Sequence, residues 1–236
     1  MTPASTETSV TSNWDPRKQV PQKILDLLTP AKINDGHNYN YISAFYQIVS
    51  LLKEQKRTGW IDKNKITNPE SIADHMYRMS IIAMSLDKFA FTKESNGKTT
   101  PDLSQCVKIA LIHDIAESLV GDIVPQDPNV KKAEKHSREY KTIQFLSEVI
   151  KPYNENFSKE IVDLWLDYEY QRNLEGTIVK DIDKYELLVQ TFEYERLHGI
   201  RMDEFYNCKS LIKHEEMKRL TDELMRQRKE FLDQHK

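Results

Sequence analysis

Apolar residues recur at spacings of three and four along most of this chain, and that regularity excludes most folds. A strand buries alternate residues, whereas a helix buries residues three and four apart, so the pattern predicts an all-α protein. Only six glycines and few alternating β-branched runs are present, which fits the same reading. Tyr41, Phe45, Ile48 and Leu52 predict a first long amphipathic helix, followed by a turn-like Arg57-Thr58-Gly59-Trp60 and by Asn68-Pro69. From near Glu70, Ile72, Met76, Met79, Ala83 and Leu86 form the stripe of the next helix, and His75 falls on its inward face. Thr100-Pro101-Asp102 joins a capping hydroxyl, a proline at the first helical position and an early acid. It predicts the start of a helix that carries His113 and that Gly121 closes. Further helices are expected from Lys131 to Ile150, Ser158 to Arg172, Thr177 to Leu197 and Asp203 to His235, the last broken near Ile212. Longer loops are expected only around Phe91 to Thr100 and Val120 to Lys131.

A chain of 236 residues, 39% hydrophobic and 30% charged, can bury one sizeable core, so a single domain is expected over residues 38–220. Residues 1–21 are rich in Ser and Thr, contain Glu7 and Asp15, and lack both an apolar signal core and an Arg-rich pattern; they are expected to form a disordered leader. Residues 213–236 place Met217, Leu220, Leu224 and Phe231 on one stripe, which predicts a C-terminal helix docked on the domain. The 34 basic and 37 acidic residues are spread along the chain, so no basic field points to a nucleic acid polymer, and small molecules are the expected ligands. No run of about 20 apolar residues offers a membrane span. Two cysteines, Cys106 and Cys208, fit a reduced intracellular protein, cytoplasmic or nuclear.

Chemistry is signalled where polar residues interrupt the apolar stripes. His113-Asp114 sits in the run Ala110 to Glu117 among Ile, Leu and Ala, where an imidazole and a carboxylate would be costly to bury without a cation. Glu117 follows His113 by four and therefore shares its helix face. His75 on the preceding helix and Asp183 in the mostly apolar run Ile178 to Leu188 complete two imidazoles and two carboxylates that could converge. Nitrogen and oxygen donors of this kind suit Mn²⁺, Co²⁺, Fe²⁺ or Zn²⁺ and leave coordination positions open for water and substrate, which implies catalysis. Each residue also has a bland reading: His75 as a satisfied core histidine, and His113-Asp114 as an internal pair.

These residues carry a resemblance. His75, then His113-Asp114, then a distant Asp183 resembles the HD-domain superfamily of metal-dependent phosphohydrolases. Ser71-Ile-Ala-Asp-His75, His113-Asp-Ile-Ala-Glu-Ser-Leu-Val-Gly-Asp122 and Lys180-Asp-Ile-Asp-Lys184 together resemble the HD-domain 5′-deoxynucleotidases, including their eukaryotic branch, over about residues 40–220. The resemblance implies a helical bundle with the metal site between central helices and His75, His113, Asp114 and Asp183 as primary ligands. It implies that Glu117 positions or deprotonates the attacking water, and that Asp122 is a second acidic site residue. It further implies a second cation held by Glu117, Asp122 and the Ile123 backbone. Arg57 and Trp60 match an arginine and a tryptophan that meet phosphate and sugar, although in the bacterial pattern the two are adjacent and here Thr58-Gly59 separates them.

The activity so implied is hydrolysis of deoxyribonucleoside 5′-monophosphates to deoxynucleoside and phosphate by a homodimer loaded with Mn²⁺, Co²⁺ or Mg²⁺. Other HD-type hydrolases act on deoxynucleoside triphosphates, guanosine tetraphosphate or cyclic nucleotides, and a degenerate HD scaffold binds without turnover. The extension Glu117-Ser-Leu-Val-Gly-Asp122 and the compact length favour the monophosphatase. Bland rivals remain for the outer residues: Asp122 after Gly121 as a turn cap, Trp60 as core cover and Arg57 as a solvated helix end.

Overall fold

The structure, a computed structural model, describes residues 13–28, 38–64, 66–94, 99–124 and 127–235. Eleven α-helices lie among the described residues, and no strand is among their elements: α1 Gln22–Leu25, α2 Tyr39–Val49, α3 Thr58–Asn64, α4 Ile72–Ser85, α5 Lys88–Glu94, α6 Leu103–Ile112, α7 Glu117–Val120, α8 Lys132–Ile150, α9 Glu155–Tyr170, α10 Leu174–His198 and α11 Glu215–Gln234. The all-α expectation holds because the apolar spacing is helical almost throughout. The described residues pack as two compact units, one formed by those up to 58 with 115–162, the other by those of 59–114 with 163–236.

In the first unit α2 buries Ala44, Phe45 and Ile48, and the 3₁₀ turn that follows buries Leu52, as the stripe predicts. α2 packs on α8, which buries Ile143, Phe145, Leu146, Val149 and Ile150. The leader expectation reaches too far. Residues 1–12 lie outside the described residues, but Asp15 accepts a hydrogen bond from the Arg17 N–H and caps a 3₁₀ turn at Pro16–Gln19, with Pro16 and Val20 buried. The Arg138 guanidinium covers Trp14 at 5.1 Å and Arg17 covers Phe145 at 5.4 Å, so cation–π contacts fasten this segment to α8. Gly121 ends α7 at φ 80°, a left-handed value that a side chain would oppose.

The second unit is built on α4, α6 and α10, which pack against one another. α4 begins at a capping box: the Asp74 N–H donates to Ser71 Oγ, and the Ser71 N–H donates to the Asp74 carboxylate. Ile72, Met76, Met79 and Ala83 are buried as expected, while Leu86 is half-buried at the cap. Wholly buried Ile72, Met79, Ile109 and Ile178 each contribute about 1.5–3 kcal/mol of hydrophobic stabilisation. Gly176, near the start of α10, allows the helix to approach α9: a Cβ there would stand 2.2 Å from the Asp167 carbonyl oxygen.

Three local expectations change. The helix opening near residue 100 is capped by Asp102 in place of the Thr100 hydroxyl: one carboxylate oxygen, Oδ1, accepts both the Ser104 and the Gln105 N–H groups. Arg57 to Trp60 is not a free turn, since α3 starts at Thr58. The helix carrying His113 ends at Ile112, turns through 113–116 and resumes as α7, so it is not the one continuous helix expected. The break near Ile212 is real: Asp181 in α10 accepts the N–H groups of Lys213 and His214, arresting the chain between a 3₁₀ segment at Asp203–Leu211 and α11.

Candidate metal centre

His75 is wholly buried on the inner face of α4, and His113 is buried at the end of α6. The His75 Nδ1–H donates to Glu186 Oε2 at 2.5 Å, and the His113 Nδ1–H donates to the Ala110 carbonyl at 2.9 Å. With each Nδ1 so committed, each Nε2 carries the lone pair. Those two nitrogens turn towards carboxylates: His113 Nε2 lies 3.0 Å from Asp114 Oδ2, and His75 Nε2 lies 3.4 Å from Asp183 Oδ1 and 3.9 Å from Asp114 Oδ2. One donor atom from each of His75, His113 and Asp183 falls within 4.8 Å of the others. The four ligands expected from the sequence are therefore brought together in one unit.

The cluster fits a divalent ion on chemical grounds. His113 Nε2 is buried and makes no hydrogen bond among the described residues, although it lies near the Asp114 carboxylate. Tyr168 donates its hydroxyl to Asp183 Oδ2 at 2.7 Å and sets its ring 4.6 Å from that of His113, bracing both. Burial and the neighbouring carboxylates keep the Tyr168 hydroxyl protonated. A second grouping, Glu70, His75 and Glu186, also has metal-ligand spacing, but the Arg78 guanidinium lies 2.6 Å from Glu186 and 3.8 Å from Glu70 and supplies the positive charge there.

The outer residues depart from expectation. Trp60 is 1% exposed, stacked on Phe205 at 4.8 Å and edge-on to Tyr194 at 5.2 Å, with its Nε1–H donated to Glu70 at 3.0 Å. It is core with a satisfied indole, and no face remains to meet a sugar; the substrate-binding expectation for Trp60 is corrected. Asp122 accepts the Thr58 N–H at 2.6 Å through Oδ2, and its carbonyl accepts the Thr58 hydroxyl at 2.8 Å, so it caps α3 from a distant loop. Where the second cation was expected, the Lys135 ammonium donates to the Ile123 carbonyl at 2.8 Å and lies 3.5 Å from the buried Glu117 carboxylate. Arg57 is half-buried beside Thr58 in the first unit.

Sequence reasoning missed Glu186, Tyr168, Arg78 and Lys135. Glu186 alone left a signal, since it lies one turn after Asp183 in the same apolar run. The others serve residues remote in sequence.

An all-α fold with paired histidines and aspartates at this spacing defines a class, and the family model described as HD domain matches residues 49–221. The chain is 46% identical over 228 residues to 5′-deoxynucleotidase YBR242W of Saccharomyces cerevisiae, covering 95% of this chain and 88% of that one. It is 36% identical over 196 residues to human 5′-deoxynucleotidase HDDC2, covering 82% and 89%. The solved structure of HD domain-containing protein YGK1 superposes with a TM-score of 0.66 at 38% identity, over 93% of this chain and 99% of that one. The chain belongs to the HD-domain 5′-deoxynucleotidase family. No helix among the described residues is long and apolar enough to cross a membrane.

Proposed function

We propose that this protein is a metal-dependent 5′-deoxynucleotidase that hydrolyses deoxyribonucleoside 5′-monophosphates, as its curated relatives are named to do. The observation that carries the reading is the orientation of the two histidines. Both Nδ1–H groups are spent on fixed acceptors, so both Nε2 atoms face Asp114 and Asp183 as a ready donor set. His75, His113, Asp114 and Asp183 hold one divalent ion, Mn²⁺, Co²⁺ or Mg²⁺. When bound, it lowers the pKa of a water and polarises a phosphate oxygen.

Glu117 takes the proton of the attacking water; its carboxylate is buried and carries Lys135 as counter-charge. Arg57 holds the phosphate dianion in its guanidinium fork, and Asp122 keeps that segment in place through Thr58. Phosphorus is attacked in line, the bond to the nucleoside oxygen breaks, that oxygen takes up a proton from Asp122 or a water, and no covalent enzyme intermediate forms. A second cation at Glu117, Asp122 and the Ile123 carbonyl would have to displace the Lys135 ammonium, so we assign the chemistry to one ion. The enzyme acts on small molecules, as an intracellular homodimer whose domain spans residues 38–220, with residues 213–236 docked as a helix.

Phosphate release tests this: the five common 5′-deoxymononucleotides and their ribose counterparts are assayed after chelation and again with Mn²⁺, Co²⁺ or Mg²⁺ restored. Deoxy-selective, metal-restored release is expected. Release from triphosphates or signalling nucleotides alone would move the protein to another HD-type hydrolase. Glu117→Ala should retain Mn²⁺ and slow hydrolysis by about 10²-fold or more, the usual range for a lost general base.

A further inference from the structure

Five residues of the second unit run in a line that ends on a metal ligand. The Trp60 Nε1–H donates to Glu70 Oε1 at 3.0 Å. Glu70 Oε2 lies 3.8 Å from the Arg78 guanidinium. Arg78 donates from Nε and Nη2 to Glu186 Oε1 at 2.8 and 2.6 Å, from Nη1 to Glu193 at 2.6 Å, and also to Gln190. Glu186 then accepts the His75 Nδ1–H on its other oxygen. The two oxygens of one carboxylate divide this work: Oε1 accepts from the arginine fork and Oε2 from the imidazole. Glu186 is wholly buried, and the Arg78 guanidinium 2.6 Å away supplies its counter-charge. The two histidines differ in this respect, because His113 leans on a neutral backbone carbonyl.

We infer that Glu186, held by Arg78, is the positioning residue of the metal centre: it fixes His75 in the Nδ1–H form, aims Nε2 at Asp183 and Asp114, and strengthens it as a donor. This rests on the proposed reading of that cluster as a metal site. A carboxylate behind a ligating imidazole fixes its tautomer and raises its basicity, and losing one typically weakens metal binding by about 10–100-fold. Arg78 and Glu70 extend the support to Trp60, which gives that buried tryptophan a role the sugar-stacking expectation did not foresee.

The test uses the full chain, stripped of metal and titrated with Mn²⁺, with the free ion followed by electron paramagnetic resonance. Wild type should bind Mn²⁺. Glu186→Gln, which keeps an acceptor but removes the charge, should bind about 10-fold more weakly, and Glu186→Ala up to about 100-fold more weakly. Arg78→Met should weaken binding less than Glu186→Ala. ¹⁵N spectra of the metal-free protein should show His75 protonated at Nδ1 in wild type and lose that preference in Glu186→Ala, a change that general loosening would not produce. Thermal melts confirm folding, and the isosteric Glu186→Gln decides if Glu186→Ala does not fold. Wild type that binds no Mn²⁺ overturns the metal reading itself. Wild type that binds while folded Glu186 variants match its affinity and ring tautomer overturns the positioning role.

Discussion

The second unit holds two buried polar clusters that use the same residue types to opposite ends. Around Glu195, every acceptor position is filled: Oε1 takes the Met202 N–H and Arg228 Nη2, and Oε2 takes Arg228 Nε and the Tyr206 hydroxyl, all at 2.7–3.0 Å. Arg228 also reaches Asp203 at 2.6 Å, which ties α11 to the 3₁₀ segment Asp203–Leu211. Around His75 and His113, Asp114 and Asp183 face imidazoles instead of a guanidinium. A saturated network of fixed charges serves as a fastener. A cluster whose carboxylates face imidazole nitrogens is suited to receive a cation, and it is held from behind by Glu186, Ala110 and Tyr168.

That contrast can be broken at either cluster. The largest effect is expected for Asp114→Ala: phosphate release should fall to background and Mn²⁺ binding should be lost, while the melting temperature of the metal-free protein stays or rises, because the cluster carries surplus negative charge. Unfolding of Asp114→Ala, seen by circular dichroism, would make the site cluster a fastener too. Next comes Glu195→Ala, which leaves the buried Arg228 guanidinium with the Asp203 carboxylate alone and should cost up to about 3 kcal/mol in denaturant unfolding while folded protein keeps its Mn²⁺ affinity. Trp60→Phe should cost about 1–3 kcal/mol through loss of the indole hydrogen bond to the Glu70 carboxylate and leave the preference between deoxy and ribose substrates unchanged. An altered sugar preference would restore Trp60 to the substrate site.

The smallest effect concerns pH. Hydrogen bonds from Arg228 and Arg201 hold the Asp203 carboxyl below its ordinary range. A depressed folded pKa gives stability that is fully present above the unfolded value of about 3.9 and is lost as pH falls through the folded one. Asp203 is largely exposed, so less than about 1 kcal/mol is expected. The melting temperatures of wild type and Asp203→Asn should differ at neutral pH and converge in acid, once the pH has fallen through the depressed folded value.

Much of this molecule is legible in one dimension. Apolar spacing alone determined the helices and the inward face of α4, because a helix places residues three and four apart on one side whatever it packs against. The same logic singled out His75, His113, Asp114 and Asp183, since polar residues on a buried face must find partners. It could not name those partners. Glu186 meets His75 across 111 residues of chain, and Asp122 meets Thr58 across 64, so no local period encodes either pairing. Tertiary packing alone decided that Trp60 is core, that Lys135 takes the place expected for a second cation, and that the His113 helix breaks before Glu117. The division has a physical cause: solvent exposure is imposed residue by residue along an element, whereas the identity of the group filling a buried valence depends on which distant elements pack together.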